Sequence, residues 1–102
     1  MTYRIHITAA AVADMEAIHA HVAETSPEAA ERAYTLIENA ISSLTDFPKR
    51  YALAPEAATH EKEVRQMVVG RYRVLFMVII ETVNILRVRH TAQAPLMPGE
   101  LN

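Results

Sequence analysis

The sequence predicts an α+β fold in which an N-terminal strand, an antiparallel helical hairpin and a three-stranded antiparallel meander make one curved sheet with helices on one face. Three observations predict it. Tyr3, Ile5 and Ile7 alternate with Arg4 and His6 at the start of the chain. Apolar residues then repeat at helical spacing on both sides of Ser26-Pro27, and three runs rich in β-branched residues follow, separated by short turns.

The alternation over residues 3–7 has the period of a half-buried strand. Thr8 follows it as an N-cap, since its hydroxyl is placed to accept from a free amide in a first helical turn made of alanines. Val12, Met15, Ile18 and Val22 then mark one apolar stripe with Asp14, Glu16 and His19 between them, so residues 9 to about 24 read as an amphipathic helix. Ser26-Pro27 restarts a helix, with Ser as cap, Pro at the first position and Glu28 and Glu31 near the positive end of the dipole. Ala30, Ala33, Ile37, Ala40, Ile41 and Leu44 carry the second stripe until Pro48 forbids further helix. The link at Thr25-Ser26 is short enough for an antiparallel hairpin.

Residues 47–62 hold Pro48, Pro55 and mixed polar residues and read as a partly mobile surface loop. Strands are expected at 63–69, 72–80 and 83–90, with Gly70-Arg71 and Glu81-Thr82 as the two hairpin turns. Residues 91–102, with Pro95, Pro98 and Gly99, are expected to form a loose tail.

At 102 residues the chain is expected to be one domain, residues 1–102, with an aliphatic core: 51% of residues are hydrophobic, only 6% aromatic, and Trp is absent. The absence of cysteine excludes a disulfide scaffold, thiolate metal sites and cysteine nucleophiles. The opening segment is not a signal peptide, and the run Val74 to Ile80 is far short of a membrane helix, so a cytoplasmic protein is the expectation. Ten Lys and Arg against twelve Asp and Glu leave a formal charge of −2, which disfavours broad attraction to nucleic acid.

Strand parity allows the sheet faces to be drawn in advance. With Val69 opposite Tyr72 and Ile80 opposite Val83, the residues Gln66, Arg73, Leu75, Met77, Leu86, Val88 and His90 share one face. Arg65, Met67, Tyr72, Val74, Phe76, Val78, Ile85, Arg87 and Arg89 share the other. This register makes Arg73 and His90 direct cross-strand neighbours, with Gln66 beside Arg73. The hairpin covers one face only, so Leu75, Met77, Leu86 and Val88 are expected to lie bare and to need a partner.

Several pieces appear in a recognisable order. The first helix carries Ala11-x-x-Asp14-Met15-x-x-Ile18. The second carries Ala29-Ala30 and Ile37-x-x-Ala40-Ile41-x-x-Leu44, followed by Phe47-Pro48-x-Arg50. The strands carry Val64-Arg65, Val69-Gly70-x-Tyr72-Arg73-Val74-Leu75-Phe76 and Ile85-Leu86-Arg87-Val88-x-His90. From Tyr3 to about His90 this order resembles the ParE/RelE toxin superfamily. The resemblance implies a toxin kept inactive by a small antitoxin, which wraps the toxin and binds operator DNA. It further implies a target that is either DNA gyrase, as for ParE-type poisons, or mRNA on the ribosome, as for RelE-type nucleases.

For a nuclease, the resemblance puts Arg73 at the scissile phosphate and His90 at the end of the last strand, with Glu61 or Glu63 as candidate base. The alternative is that Arg73 and His90 are fold or partner residues. Val64 and Gln66 stand where RelE has lysines, no Arg or Tyr follows at Thr91 or Ala92, and the chain is acidic. Inhibition of gyrase is therefore the preferred expectation, an inactive member that retains antitoxin binding being a third possibility. Val64, Gln66, Leu75, Met77, Leu86 and Val88 are the expected antitoxin contacts. Arg65, Arg87 and Arg89 are the expected target contacts, or else solvated edge charges. No cofactor is expected, and His19 and His21 diverge too far around a helix to make a metal pair.

Overall fold

The computed structural model describes residues 2–59 and 62–101. Strand β1 (Arg4–Ile7) leads into helix α1 (Ala9–Ala23), which turns back as α2 (Pro27–Ser42). Three short 3-10 turns follow, at Ser43–Thr45, Pro48–Arg50 and Pro55–Ala58. The chain then runs through β2 (Arg65–Val69), β3 (Tyr72–Ile79) and β4 (Thr82–His90).

The caps form as the residue types dictate. Thr8 Oγ1 accepts from the Ala11 amide at 3.2 Å and donates to the Ile85 carbonyl at 2.8 Å, so one hydroxyl starts α1 and ties it to β4. Ser26 Oγ accepts from the Ala29 amide at 3.1 Å, with Pro27 at the first position of α2. The second helix ends at Ser42, earlier than Pro48 required, and tightens into the Ser43–Thr45 turn.

The four strands lie in the order β1-β4-β3-β2. β1 is parallel to β4, a pairing that the intervening helical hairpin makes possible, and the other two pairings are antiparallel. The helices pack on one face, where Ala11, Met15, Ile37, Ile41 and Leu44 meet Met67, Val74, Phe76, Val83, Ile85 and Val88. Among the described residues no helix is long and apolar enough to cross a membrane.

Two register details correct the expected faces. Val69 does pair with Tyr72, but the second turn is Ile80-Glu81, so that Ile79 pairs with Thr82. That displacement is by two positions, which preserves side-chain parity, and Ile85 stays on the face of Phe76. A bulge then intervenes: Phe76 pairs with Ile85 and Leu75 with Arg87, leaving Leu86 as the extra residue. One extra residue reverses parity for everything beyond it. Val88 therefore joins the helix-side core, Arg89 pairs with Arg73, and His90 pairs with Tyr72 instead of Arg73.

The face expected to be bare is covered by the chain itself. Val64, Leu75 and Met77 are buried with Ala54 and Leu96, and Ala57, Leu86 and Leu101 pack around them. The segment 52–58 lies along β2, with the Ala54 amide donating to Val64 at 2.8 Å and the Gln66 amide to Ala52 at 3.1 Å. The tail is likewise not loose throughout, because Leu96 is only 4% exposed. An uncovered apolar face is thus no argument for a partner here.

Candidate functional site

The polar centre of the second face is built from three segments distant in sequence. Arg73, projecting from the middle of the sheet, donates from Nη1 to Glu56 Oε1 at 3.0 Å and from Nη2 to Glu56 Oε2 at 2.7 Å. Nη1 also donates to Gln66 Oε1 at 2.9 Å, and the Leu96 amide donates to Glu56 Oε2 at 3.0 Å. Pro55 starts the 3-10 turn that points Glu56 inward, and both charged residues are buried, at 1% exposure for Glu56 and 8% for Arg73. The guanidinium holds the Glu56 carboxyl at about 2, below its ordinary value of 4.5. Burial opposes this, and the Leu96 amide supports it.

This arrangement limits the chemistry available. A carboxylate held at about 2 is a weak base near neutral pH. A guanidinium already bound to a carboxylate and an amide must surrender those bonds before it can stabilise a phosphate.

His90 stands apart from this group. Its ring meets Tyr72 edge-on, with centroids 5.7 Å apart, and Nδ1 accepts from the Ala92 amide at 3.0 Å. Its own amide donates to Gln93 Oε1 at 2.9 Å, so His90 shapes the turn that follows β4. The structure therefore does not bring Arg73 and His90 together as cross-strand neighbours. Glu63 is exposed and lies 3.4 Å from Arg65, while Glu61 and His60 lie outside the described residues.

The three arginines expected to contact a target, Arg65, Arg87 and Arg89, have specific partners within the fold. Arg87 donates from Nε to Asp14 Oδ2 at 2.7 Å and from Nη2 to Asp14 Oδ1 at 2.9 Å, and its proton affinity is raised by that carboxylate. The Val88 amide also donates to Asp14 Oδ2, at 2.9 Å. Asp14 thus caps the edge of β4 just beyond the point where β1 ends. Arg65 donates to the Tyr51 carbonyl at 2.7 Å. Arg89 donates from Nη2 to the Ala94 carbonyl at 3.0 Å, and its buried Nε has no partner among the described residues.

Among the described residues no three His, Asp or Glu side chains are grouped to hold a metal ion. A cleft of about 370 Å³ lies between α1 and the end of β4, lined by Ile18, Val22, Tyr72, Val88, His90 and Gln93 among others.

Glu56 is the site residue that sequence reading missed. Its signal was a lone acid between Ala54-Pro55 and Ala57-Ala58, a polar residue in an apolar context that requires a buried cation. Asp14 was visible within a motif, yet its role as a cap for Val88 needed the sheet register.

Comparison with known proteins agrees with the architecture. A family model described as the ParE toxin of the type II toxin–antitoxin system parDE matches residues 5–95. The chain is 36% identical over 83 residues to Toxin RelE2 of Caulobacter vibrioides, covering 81% of this chain and 89% of that protein. It is similar in structure to the chromosomal ParDE toxin–antitoxin system of P. aeruginosa, with a TM-score of 0.72 and 25% identity over 87% of this chain and 96% of that one. The toxin–antitoxin complex RelBE2 of Mycobacterium tuberculosis also matches, with a TM-score of 0.58 and 26% identity over 88% and 99% of the two chains. With two helices against a mixed four-stranded sheet, and a family match over nearly its whole length, the chain belongs to the ParE toxin family of the ParE/RelE superfamily.

Proposed function

We propose that the protein is the toxin of a type II toxin–antitoxin pair, neutralised by a cognate antitoxin in the cytoplasm, and that it inhibits DNA gyrase and does not cut mRNA. Operator DNA is reached only through the antitoxin. Family membership supports the toxin role and the antitoxin partner.

The observation that favours gyrase over the ribosome is the buried pair of Arg73 and Glu56. In the nuclease reading Arg73 is the cation at the scissile phosphate, but here its charge is already neutralised inside the fold. Val64 and Gln66 stand in place of lysines, and the net charge of −2 opposes approach to an RNA-rich surface.

The test uses purified protein in two assays. Inhibition of gyrase supercoiling, with no cleavage of mRNA on translating ribosomes, is the expected pair of results. Ribosome-dependent mRNA cuts that fall by about 10²-fold or more in Arg73→Ala or His90→Ala would replace this reading with the nuclease one.

A further inference from the structure

The apolar stripe of α1 outruns the strand it packs on. Met15 is 3% exposed in the core, whereas Ile18 and Val22, one and two turns further along, are only half-buried. The chain leaves β4 at His90 through a closed turn. There the Thr91 amide donates to Arg71 at 2.8 Å, the Gln93 amide to the His90 carbonyl at 3.0 Å and the Ala92 amide to His90 Nδ1 at 3.0 Å. Ala17, Ile18 and Val22 of the helix, with Tyr72 and Val88 of the sheet, are left as the apolar walls of the cleft of about 370 Å³.

The polar groups that line this cleft divide into free donors and satisfied acceptors. Because His90 Nδ1 accepts from a backbone amide, the ring's proton lies on Nε2, which has no acceptor among the described residues. Gln93 Oε1 is taken by the His90 amide, so the side-chain NH2 is its free end, and the Tyr72 hydroxyl is also without a partner among the described residues. Asp14 is the one acid of the described lining, and both its oxygens are committed: Oδ1 to Arg87, and Oδ2 to Arg87 and the Val88 amide. Arg89, also of the lining, donates to the Ala94 carbonyl and has no carboxylate partner among the described residues. At the rim Glu24 stands 3.9 Å from His21 Nδ1, and both are exposed to water, which screens them.

We infer that this cleft binds a small monocarboxylate with an apolar aryl or alkyl body, the body against Ile18, Val22 and Val88 and the carboxylate toward His90, Gln93 and Tyr72. Two donors that cannot accept, the His90 Nε2–H and the Gln93 NH2, select an acceptor, and the apolar walls select an uncharged body. With Asp14 matched by Arg87, the unpaired charge of Arg89 leaves the lining positive, which favours an anion over a neutral acceptor. The volume of about 370 Å³ lies at the small end of ligand sites. The edge of β4 beside the cleft offers nothing to an extended peptide, because Thr8 holds the Leu86 carbonyl, Asp14 the Val88 amide and Gln93 the His90 amide. The site uses neither Arg73 nor Glu56 and stands apart from the toxin reading.

The test is a titration of the wild-type protein with phenylacetate and with hexanoate at neutral pH, followed by amide NMR shifts. At least one acid is expected to bind with a Kd of about 1 mM or tighter, with shifts centred on Val22, Tyr72, Val88 and His90. Phenylacetamide and phenethylamine are expected to bind at least about tenfold more weakly than phenylacetate. Gln93→Glu keeps the oxygen that accepts from the His90 amide and puts a negative charge where the NH2 stood, and Ala17→Trp fills the cleft from the exposed face of α1. Each is expected to melt no lower than the wild type and to weaken the acids by about tenfold or more. No response to either acid overturns the proposal, as do equal binding of phenylacetate and its amide, shifts scattered outside the cleft, or wild-type affinity in both variants. Shifts of the cleft amides on diluting the protein alone would mark a second copy as the occupant and overturn it too. So would silence toward both acids beside loss of these signals on adding the cognate antitoxin, which would make the cleft a protein contact.

Discussion

Glu56 and Arg73 lie 17 residues apart and meet through two parallel hydrogen bonds of 3.0 and 2.7 Å inside the fold. The pair joins the centre of the sheet to the segment that covers it, and the Leu96 amide adds the tail to the same carboxylate. Removing one partner leaves the other charge buried without its counter-charge. Glu56→Ala is therefore expected to destabilise the protein by about 3–5 kcal/mol, whereas Glu56→Leu with Arg73→Met is expected to cost less, about 1–3 kcal/mol, because no charge is left buried and the remaining loss is that of the Leu96 amide and Gln66, which lose their partners. Urea unfolding of the single and double variants checks this, and equal losses in both would count against the argument.

The same pair sets an acid limit. The Glu56 carboxyl is depressed from 4.5 in the unfolded chain to about 2 in the folded one, so its contribution is fully present above 4.5 and is lost as pH falls toward 2. At about 1.4 kcal/mol per pH unit, the loss across that window is about 3 kcal/mol. Melting temperature followed from pH 6 down to about 2 is expected to fall with a slope that Glu56→Leu with Arg73→Met flattens.

Asp14 receives three donors, two from Arg87 and one from the Val88 amide. Asp14→Ala removes the cap at the point where β1 stops and β4 continues, and leaves a backbone N–H and a guanidinium without their acceptor. A loss of about 2–3 kcal/mol is expected, with faster amide exchange at Val88 than at Val83. Exchange unchanged at Val88 would show that the carboxylate does not hold this edge.

Leu96 anchors the tail in the small core of Ala54, Val64, Leu75 and Met77. Leu96→Ala is expected to cost about 2–4 kcal/mol and to open residues 91–101 to limited proteolysis ahead of global unfolding. Cleavage at wild-type rate would mean that the tail is held by something other than this side chain.

Gly70 has φ 57°, and a Cβ there would approach Leu36 Cδ2 to 3.2 Å. Gly70→Asn is expected to be tolerated better than Gly70→Ala, and Gly70→Val worst, since asparagine alone of the three visits this region readily and valine is β-branched. The order of their melting temperatures checks the claim.

Most of the element order was legible in the residues because its signals are local. Thr8 and Ser26 act as caps within their own turns, and Gly70 sits where a hairpin demands positive φ. The helical stripe of Ile37, Ile41 and Leu44 faces the core as its spacing requires. The candidate site was less legible. Arg73 and Gln66 could be placed side by side from strand pairing, but the partner Glu56 sits in a segment whose fold comes from contacts with β2 and the tail.

By itself the sequence determined which segments are helix and strand, where the caps and the first turn fall, and the family to which that order belongs. All of these depend on interactions within a few residues or on pattern along the chain. Only the tertiary structure decided which side chains share a face beyond Leu86, because one bulge residue reverses strand parity and nothing in the alternation of Ile85, Arg87 and Arg89 announces it. It also decided that Leu75 and Met77 are covered by the chain's own loop and tail. Burial of an apolar face depends on where distant segments return, and the same return brings Glu56 to Arg73 and makes the two a buried pair.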